Sequence, residues 1–276
     1  MARPQPTNPS TAGTAGQPLP QSDRAPDVAQ GHWLLARLGK RVLRPGGLAL
    51  TSAMLEQAEL PGSDVVEFAP GIGRTATMII EASPRSYTGV DADSDAARLV
   101  TNAVGGAGRC LVGDAQNTGL PAACADVVVG EAMLTMQGER SKQAIIAEAV
   151  RLLRPGGRYV IHELGLSPDD IPGQTKEEIR LDLTRSIRVN ARPLTIAEWS
   201  RMLGDAGLRV EWTRTEPMAL LNLGRNISDE GLVRTIQIAR RALTSPDIRK
   251  RVLGMRRVFA RHAHSLRGVA LVGRLP

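Results

Sequence analysis

Apolar positions along this chain follow two periods, and the period changes at turn residues. Short uninterrupted apolar runs suit buried strands and are predicted at residues 65–68, 87–90, 126–129, 158–162, 208–213 and 268–273. Between them apolar side chains recur every three or four positions, which predicts helices at 33–44, 48–60, 75–82, 95–104, 141–153, 175–188, 195–206, 228–242 and 246–264. The stop signals agree with the periods. Pro155-Gly156-Gly157 ends the helix at 141–153, since proline forbids continuation and glycine takes a left-handed cap, while Thr195 opens and Gly207 closes the helix at 195–206. Strands that alternate with helices pair in parallel and bury both sheet faces. Arg-Pro-Gly-Gly occurs at both 44–47 and 154–157, but the flanks differ, so shared turn chemistry explains the likeness better than duplication.

The first strand carries the chemistry. Val65-Val66-Glu67-Phe68-Ala69-Pro70-Gly71-Ile72-Gly73-Arg74-Thr75 reads as a buried strand entering a glycine turn and then a helix, which leaves helix N-terminal amides free for a polar ligand group. The strand at 87–90 ends in Asp91, twenty residues past Gly71, the spacing of a carboxylate that grips ribose hydroxyls.

Glu67-x-Ala69-x-Gly71-x-Gly73 resembles the first motif of the class I S-adenosylmethionine-dependent methyltransferases, acidic-x-Gly-x-Gly-x-Gly. Gly113-Asp114-Ala115, the strand 126–129, the helix and turn 148–157 and the strand 158–162 match further pieces in order, so the resemblance covers roughly residues 60–165. Ala69 replaces the first glycine and is tolerated there if its φ stays below zero. The resemblance implies a Rossmann-like doubly wound α/β sheet of seven strands, mostly parallel with an antiparallel C-terminal edge strand and helices on both faces. It also implies S-adenosyl-L-methionine as cofactor. Glu67, Ala69, Gly71 and Gly73 would form the glycine loop and hold the methionine amine. Asp91 and Ala92 would meet the ribose, with a helix-capping carboxylate as the plainer reading of Asp91. Asp114 and Ala115 would meet the adenine edge, unless Asp114 is a turn aspartate.

Glu131, delivered by the strand at 126–129, has three open roles: orienting the cofactor's cationic end, accepting a substrate proton, or capping the next turn. His162 ends the following strand and is the best-placed candidate for a general base, which Glu163 could orient, while a histidine satisfied by backbone at a strand end is the plainer reading. No metal site is expected. Asn190 and Arg192 are substrate-binding candidates against the reading of a polar loop, and Lys40, Arg41 and Arg44 are similar candidates. Methyl transfer relies mainly on placement, so the lack of a sharp catalytic signature is compatible with an enzyme.

Composition changes little. The 276 residues hold one large α/β domain with extensions, and 3% aromatic content asks Val, Leu, Ile, Ala and Met to build the core. Residues 1–30 are rich in Pro, Thr, Ser, Gly and Gln, and read as a disordered N-terminal extension. Residues 31–276 read as the methyltransferase domain, with a cofactor-binding core at 60–165, a substrate-side insertion at 164–194 and basic C-terminal helices at 228–264. The helices at 33–44 and 48–60 are a candidate lid. No segment reads as a membrane span, and Cys110 and Cys124 fit a reducing compartment, so a cytoplasmic location is expected. From Ser228 onward eleven Lys or Arg face three acids, a surplus of eight against +7 for the chain. A solvated helix face is the plain account of that surplus, and phosphate tracking is its rival. The functional expectation is methyl transfer to a small-molecule acceptor, with an RNA methyltransferase or a non-catalytic S-adenosylmethionine-binding protein as alternatives.

Overall fold

A computed structural model describes residues 19–20, 25, 28–218 and 229–276. The expected disordered extension at 1–30 lies largely outside the described residues, as does the first residue of the helix expected at 228–242. The sheet runs β3 (Arg109–Val112), β2 (Ser86–Asp91), β1 (Asp64–Phe68), β4 (Ala125–Glu131), β5 (Leu153–Leu166), β8 (Leu266–Arg274), β7 (Arg209–Pro217), and the two-residue β6 (Leu194–Thr195) pairs with the far end of β5. Pairing from β3 to β5 is parallel, and β8 is antiparallel to both of its neighbours. The antiparallel C-terminal strand therefore sits one place in from the edge, with β7 outside it.

Helices α2 (Gly47–Glu56), α3 (Arg74–Glu81) and α4 (Ser94–Val104) cover one face, where Leu50, Met54, Ile79 and Val100 pack on Val65, Val127 and Val129. On the other face α5 (Glu139–Leu152) and α7 (Ile196–Asp205) set Ile145, Ile146, Trp199 and Leu203 on Val66, Phe68 and Val128. The alternation is the strand pleat itself, and each fully buried Val, Ile or Leu contributes on the order of 1.5–3 kcal/mol. A third apolar cluster lies beyond the strand ends, formed by α1 (Gly31–Arg37), α6 (Gly173–Ile187) and α9 (Pro246–Arg261). Alongside them runs α8 (Leu232–Thr244), whose one fully buried residue is Thr235.

Local signals account for most boundaries. Asp93 caps α4 by accepting from the Asp95 and Ala96 amides, and Thr195 with Glu198 forms a capping box on α7. The helix expected at 33–44 ends earlier, at Arg37, because Gly39 adopts φ 98° and turns the chain back. β3 was not foreseen, being a short and largely exposed edge.

The basic C-terminal helices spend several arginines on backbone. Arg241 and Arg234 donate to the carbonyls of Leu38 and Gly39 at the end of α1, Arg251 donates to Ala29 and Ser186, and Arg261 pairs with Asp182. Among the described residues no helix is long and apolar enough to cross a membrane.

Candidate active site

Parallel register brings the carboxyl ends of β1, β2 and β4 side by side, since Phe68 pairs with Val90 and with Gly130. A cavity of about 260 Å³ opens there, lined on the sheet side by Glu67, Ala69, Gly71, Asp91 and Glu131. Ala69 departs from the expectation of negative φ: it sits at φ 50°, in the left-handed region. Its amide is fixed by donation to Val90 O, so the turn imposes a conformation that glycine would adopt without strain. Gly71 and Gly73 share positive φ, but their surroundings differ. A Cβ on Gly71 would stand in near-open space, with the Trp33 ring 3.9 Å away, whereas one on Gly73 would lie 3.3 Å from Ala103 Cβ. Gly71 therefore keeps the cavity clear, and Gly73 lets α3 approach α4.

Asp91 is buried, and its two oxygens accept from the amides of Gly71 (3.0 Å) and Asp93 (2.9 Å). These bonds fix the carboxylate relative to the glycine turn, while burial raises its pKa. Glu67 is buried beside it and accepts from the Tyr87 hydroxyl at 2.6 Å. Burial pushes Glu67 up to about 8, against the pull of that hydrogen bond and with help from the nearby Glu131. Without a cation opposite it, this carboxyl carries its proton at neutral pH.

Glu131 behaves in the opposite way. Burial alone would raise it, but the Arg44 guanidinium and His162 outweigh burial and hold it at about 2. One of its oxygens takes Arg44 and Thr75, and the other takes Thr51 Oγ1 at 2.6 Å and His162 Nδ1 at 2.9 Å. His162 is fully buried, and its Nε2 faces the Pro45 carbonyl. A carbonyl can only accept, so that nitrogen carries hydrogen. Glu163 does not orient His162. Its side chain leaves the opposite face of β5 and takes the Met133, Leu134 and Thr135 amides, which fixes the loop after β4.

Comparison with known proteins places the chain in a family. A methyltransferase-domain family profile matches residues 66–161, the stretch from β1 into β5. A Haemophilus influenzae protein described only as uncharacterized is 32% identical over 247 residues, covering 87% of this chain and 96% of that protein. The chain belongs to the class I S-adenosylmethionine-dependent methyltransferases. The fold agrees with Haemonchus contortus phosphoethanolamine N-methyltransferase 2, solved with phosphomonomethylethanolamine and S-adenosylhomocysteine (TM-score 0.67, 16% identity, 89% of this chain). This chain spans 57% of the length of that structure. The [4+2]-cyclase SpnF shares the fold at TM-score 0.68 and 15% identity, covering 88% of this chain and 92% of that one.

Other residues singled out in the methyltransferase sequence fall outside the cavity lining. Ala92 is exposed at the head of the loop before α4, and Asp114 is an exposed turn residue whose carboxylate accepts from the Gln116 amide. Ala115 packs on the core beside it. Asn190 is exposed and accepts from Arg180, and Arg192 is exposed, with its backbone held by Thr135 and Lys142. Between those two, Ala191 faces the cavity. Sequence reasoning did not single out Thr51, Thr75, His32 or Trp33. Thr75 follows the glycine turn and was within reach of the motif, whereas the others are joined to the site only by the packing of α1 and α2.

Proposed function

We propose that this methyltransferase acts on a small-molecule acceptor. The observation that carries the reading is the cavity's shape: it runs from the glycine turn into an apolar chamber walled by α1, α6 and α9, which is suited to a small molecule. The residues present fit the cofactor. Gly71 leaves room for close approach, Asp91 lines the cavity with its carboxylate already oriented, and Arg74 lines it with no ion pair among the described residues. When bound, S-adenosylmethionine supplies a methyl group activated by its sulfonium. In this reading Asp91 accepts from the ribose hydroxyls and Arg74 binds the methionine carboxylate. Ionised Glu67 meets the methionine amine. Ala92, Asp114 and Ala115 lie on the adenine side, and Gly73 sets the angle of α3.

His162 and Glu131 act in this reading by positioning. They tie the end of β4 and the interior of β5 to Arg44 and Thr75, and so hold the cavity floor in place. Rate then comes from in-line placement of the acceptor. The RNA alternative is disfavoured by the arginines of α8 and α9 that are already committed to backbone carbonyls and to Asp182.

Methyl-labelled S-adenosylmethionine incubated with the protein and, separately, with a metabolite extract or total RNA tests the proposal. Label is expected in the metabolite fraction. Label confined to RNA sinks the small-molecule reading, and cofactor binding without transfer to either pool favours the non-catalytic alternative.

A further inference from the structure

The chamber beyond the glycine turn holds one imidazole that the site described above does not use. His32 stands on α1, half-buried in the cavity wall, with its ring 4.9 Å from that of Trp33, and Trp33 in turn lies over Gly71. Among the described residues no hydrogen bond or ion pair reaches it. Other polar groups around the cavity are accounted for: Thr135 donates to Glu163, Arg44 is bound to Glu131, Arg74 stands on the glycine-loop side, and Arg41 is exposed to solvent. The start of α1 is packed tightly, since a Cβ on Gly31 would lie 3.1 Å from both Ile187 and Met255. The ring position is therefore set by the same helices that wall the chamber.

Those walls are apolar. Leu35, Met133, Leu183, Met255 and Phe259 supply them, and their packing removes water from His32 so that its pKa falls to about 4. The imidazole is then neutral at physiological pH, with one nitrogen that donates and one that accepts. The same surroundings act on whatever enters. A charged group brought in beside His32 loses its hydration against apolar walls, whereas a hydroxyl or N–H exchanges water for the ring nitrogen.

We propose that the acceptor is an uncharged, largely apolar molecule whose hydroxyl or N–H donates to His32, so that His32 selects the acceptor and aims its heteroatom. The proposal rests on the methyl-transfer reading above and adds the acceptor's chemical class.

The test uses the full chain saturated with S-adenosylhomocysteine and three probes of one shape: 1-naphthol, naphthalene and 1-naphthoate. Calorimetry or fluorescence is expected to rank 1-naphthol about tenfold tighter than naphthalene, the worth of one hydrogen bond, with 1-naphthoate weakest. His32→Ala should erase the difference between 1-naphthol and naphthalene, and His32→Asn, which keeps a neutral hydrogen-bonding group, should restore part of it. S-adenosylhomocysteine affinity, measured on the same samples, should be equal in all three proteins and reports that each is folded. The proposal is overturned if 1-naphthoate binds as tightly as 1-naphthol, if 1-naphthol does not bind, or if its advantage survives His32→Ala. Failure of the wild-type protein to bind S-adenosylhomocysteine strikes instead at the methyl-transfer reading.

Discussion

The two walls of the cavity are held by different physics. On the sheet side each functional group ends a buried strand and is fixed by short polar bonds: Asp91 by two amides, Glu67 by Tyr87, and Glu131 by four side chains. On the helical side α1, α6 and α9 meet through apolar side chains, and arginines clasp the carbonyls at their ends. A zwitterionic cofactor needs fixed charges at fixed places, which a hydrogen-bonded ladder provides. Apolar walls can be recut by substitution while the strands stay where they are, so this architecture allows acceptor choice to change without disturbing cofactor binding.

The contrast is broken most forcefully at Glu131. Glu131→Ala leaves Arg44 buried without its charge partner and should cost about 3–5 kcal/mol in denaturant unfolding, while Leu183→Met on the helical wall should cost less than about 1.5 kcal/mol. Near-equal losses would end the distinction. Asp91→Ala should weaken S-adenosylmethionine at least about tenfold by calorimetry, since each charge-assisted bond to ribose contributes about 1.5–3 kcal/mol. His32→Ala, on the other wall, should leave that affinity unchanged.

Glu67 sharpens the comparison through pH. Its folded pKa, about 8, stands above the ordinary value of 4.5. The stability it contributes is therefore full below pH 4.5 and is lost as pH rises through about 8. A cofactor cation favours the ionised form, so binding below pH 8 should release a proton. Affinity should then climb by up to about tenfold per pH unit toward 8 before levelling off. Calorimetry in buffers of different ionisation enthalpy should detect that proton, and Glu67→Gln should remove it.

Ala69→Gly tests the strained turn. Relief of the left-handed alanine is worth about 1–2 kcal/mol, offset in part by glycine's greater unfolded-state freedom, so a net gain of about 1 kcal/mol or less is expected on thermal melting. The smallest effect belongs to the N-terminus. Removal of residues 1–27 should leave melting temperature and cofactor affinity nearly unchanged, and a large drop in either would show that the segment docks on the domain.

The sheet wall was largely legible in the sequence and the helical wall was not. Residues 65–68, 87–90 and 126–129 announce themselves because an apolar run, a turn residue and a terminal acid stand next to one another in the chain. The environment of His162 is set by Thr51, Glu131 and Pro45, which lie 31 to 117 positions away, so the sequence leaves both a general base and a satisfied histidine open, and only the structure shows both of its nitrogens engaged. His32 sits on a seven-residue helix, where nothing local signals that a chamber will close around it. The left-handed φ of Ala69 was hidden for a related reason: the bond that enforces it comes from β2, not from its neighbours in the chain.

The turn at residues 44–47 is pinned to the sheet. Arg44 reaches Thr75 and Glu131, the Pro45 carbonyl faces His162, and the backbone of Pro45 and Gly46 lies so close to Gly268 that a Cβ there would stand 2.7 Å away. Upstream of this anchor, α1 is tied to α8 through Arg234 and Arg241. Mechanically α1 is a brace rather than a flap, with its far end held by the arginines of α8 and its start wedged against Ile187 of α6 and Met255 of α9. A change of side chain on α6, α8 or α9 is therefore felt through α1 at the chamber wall, even where the changed residue does not line the cavity.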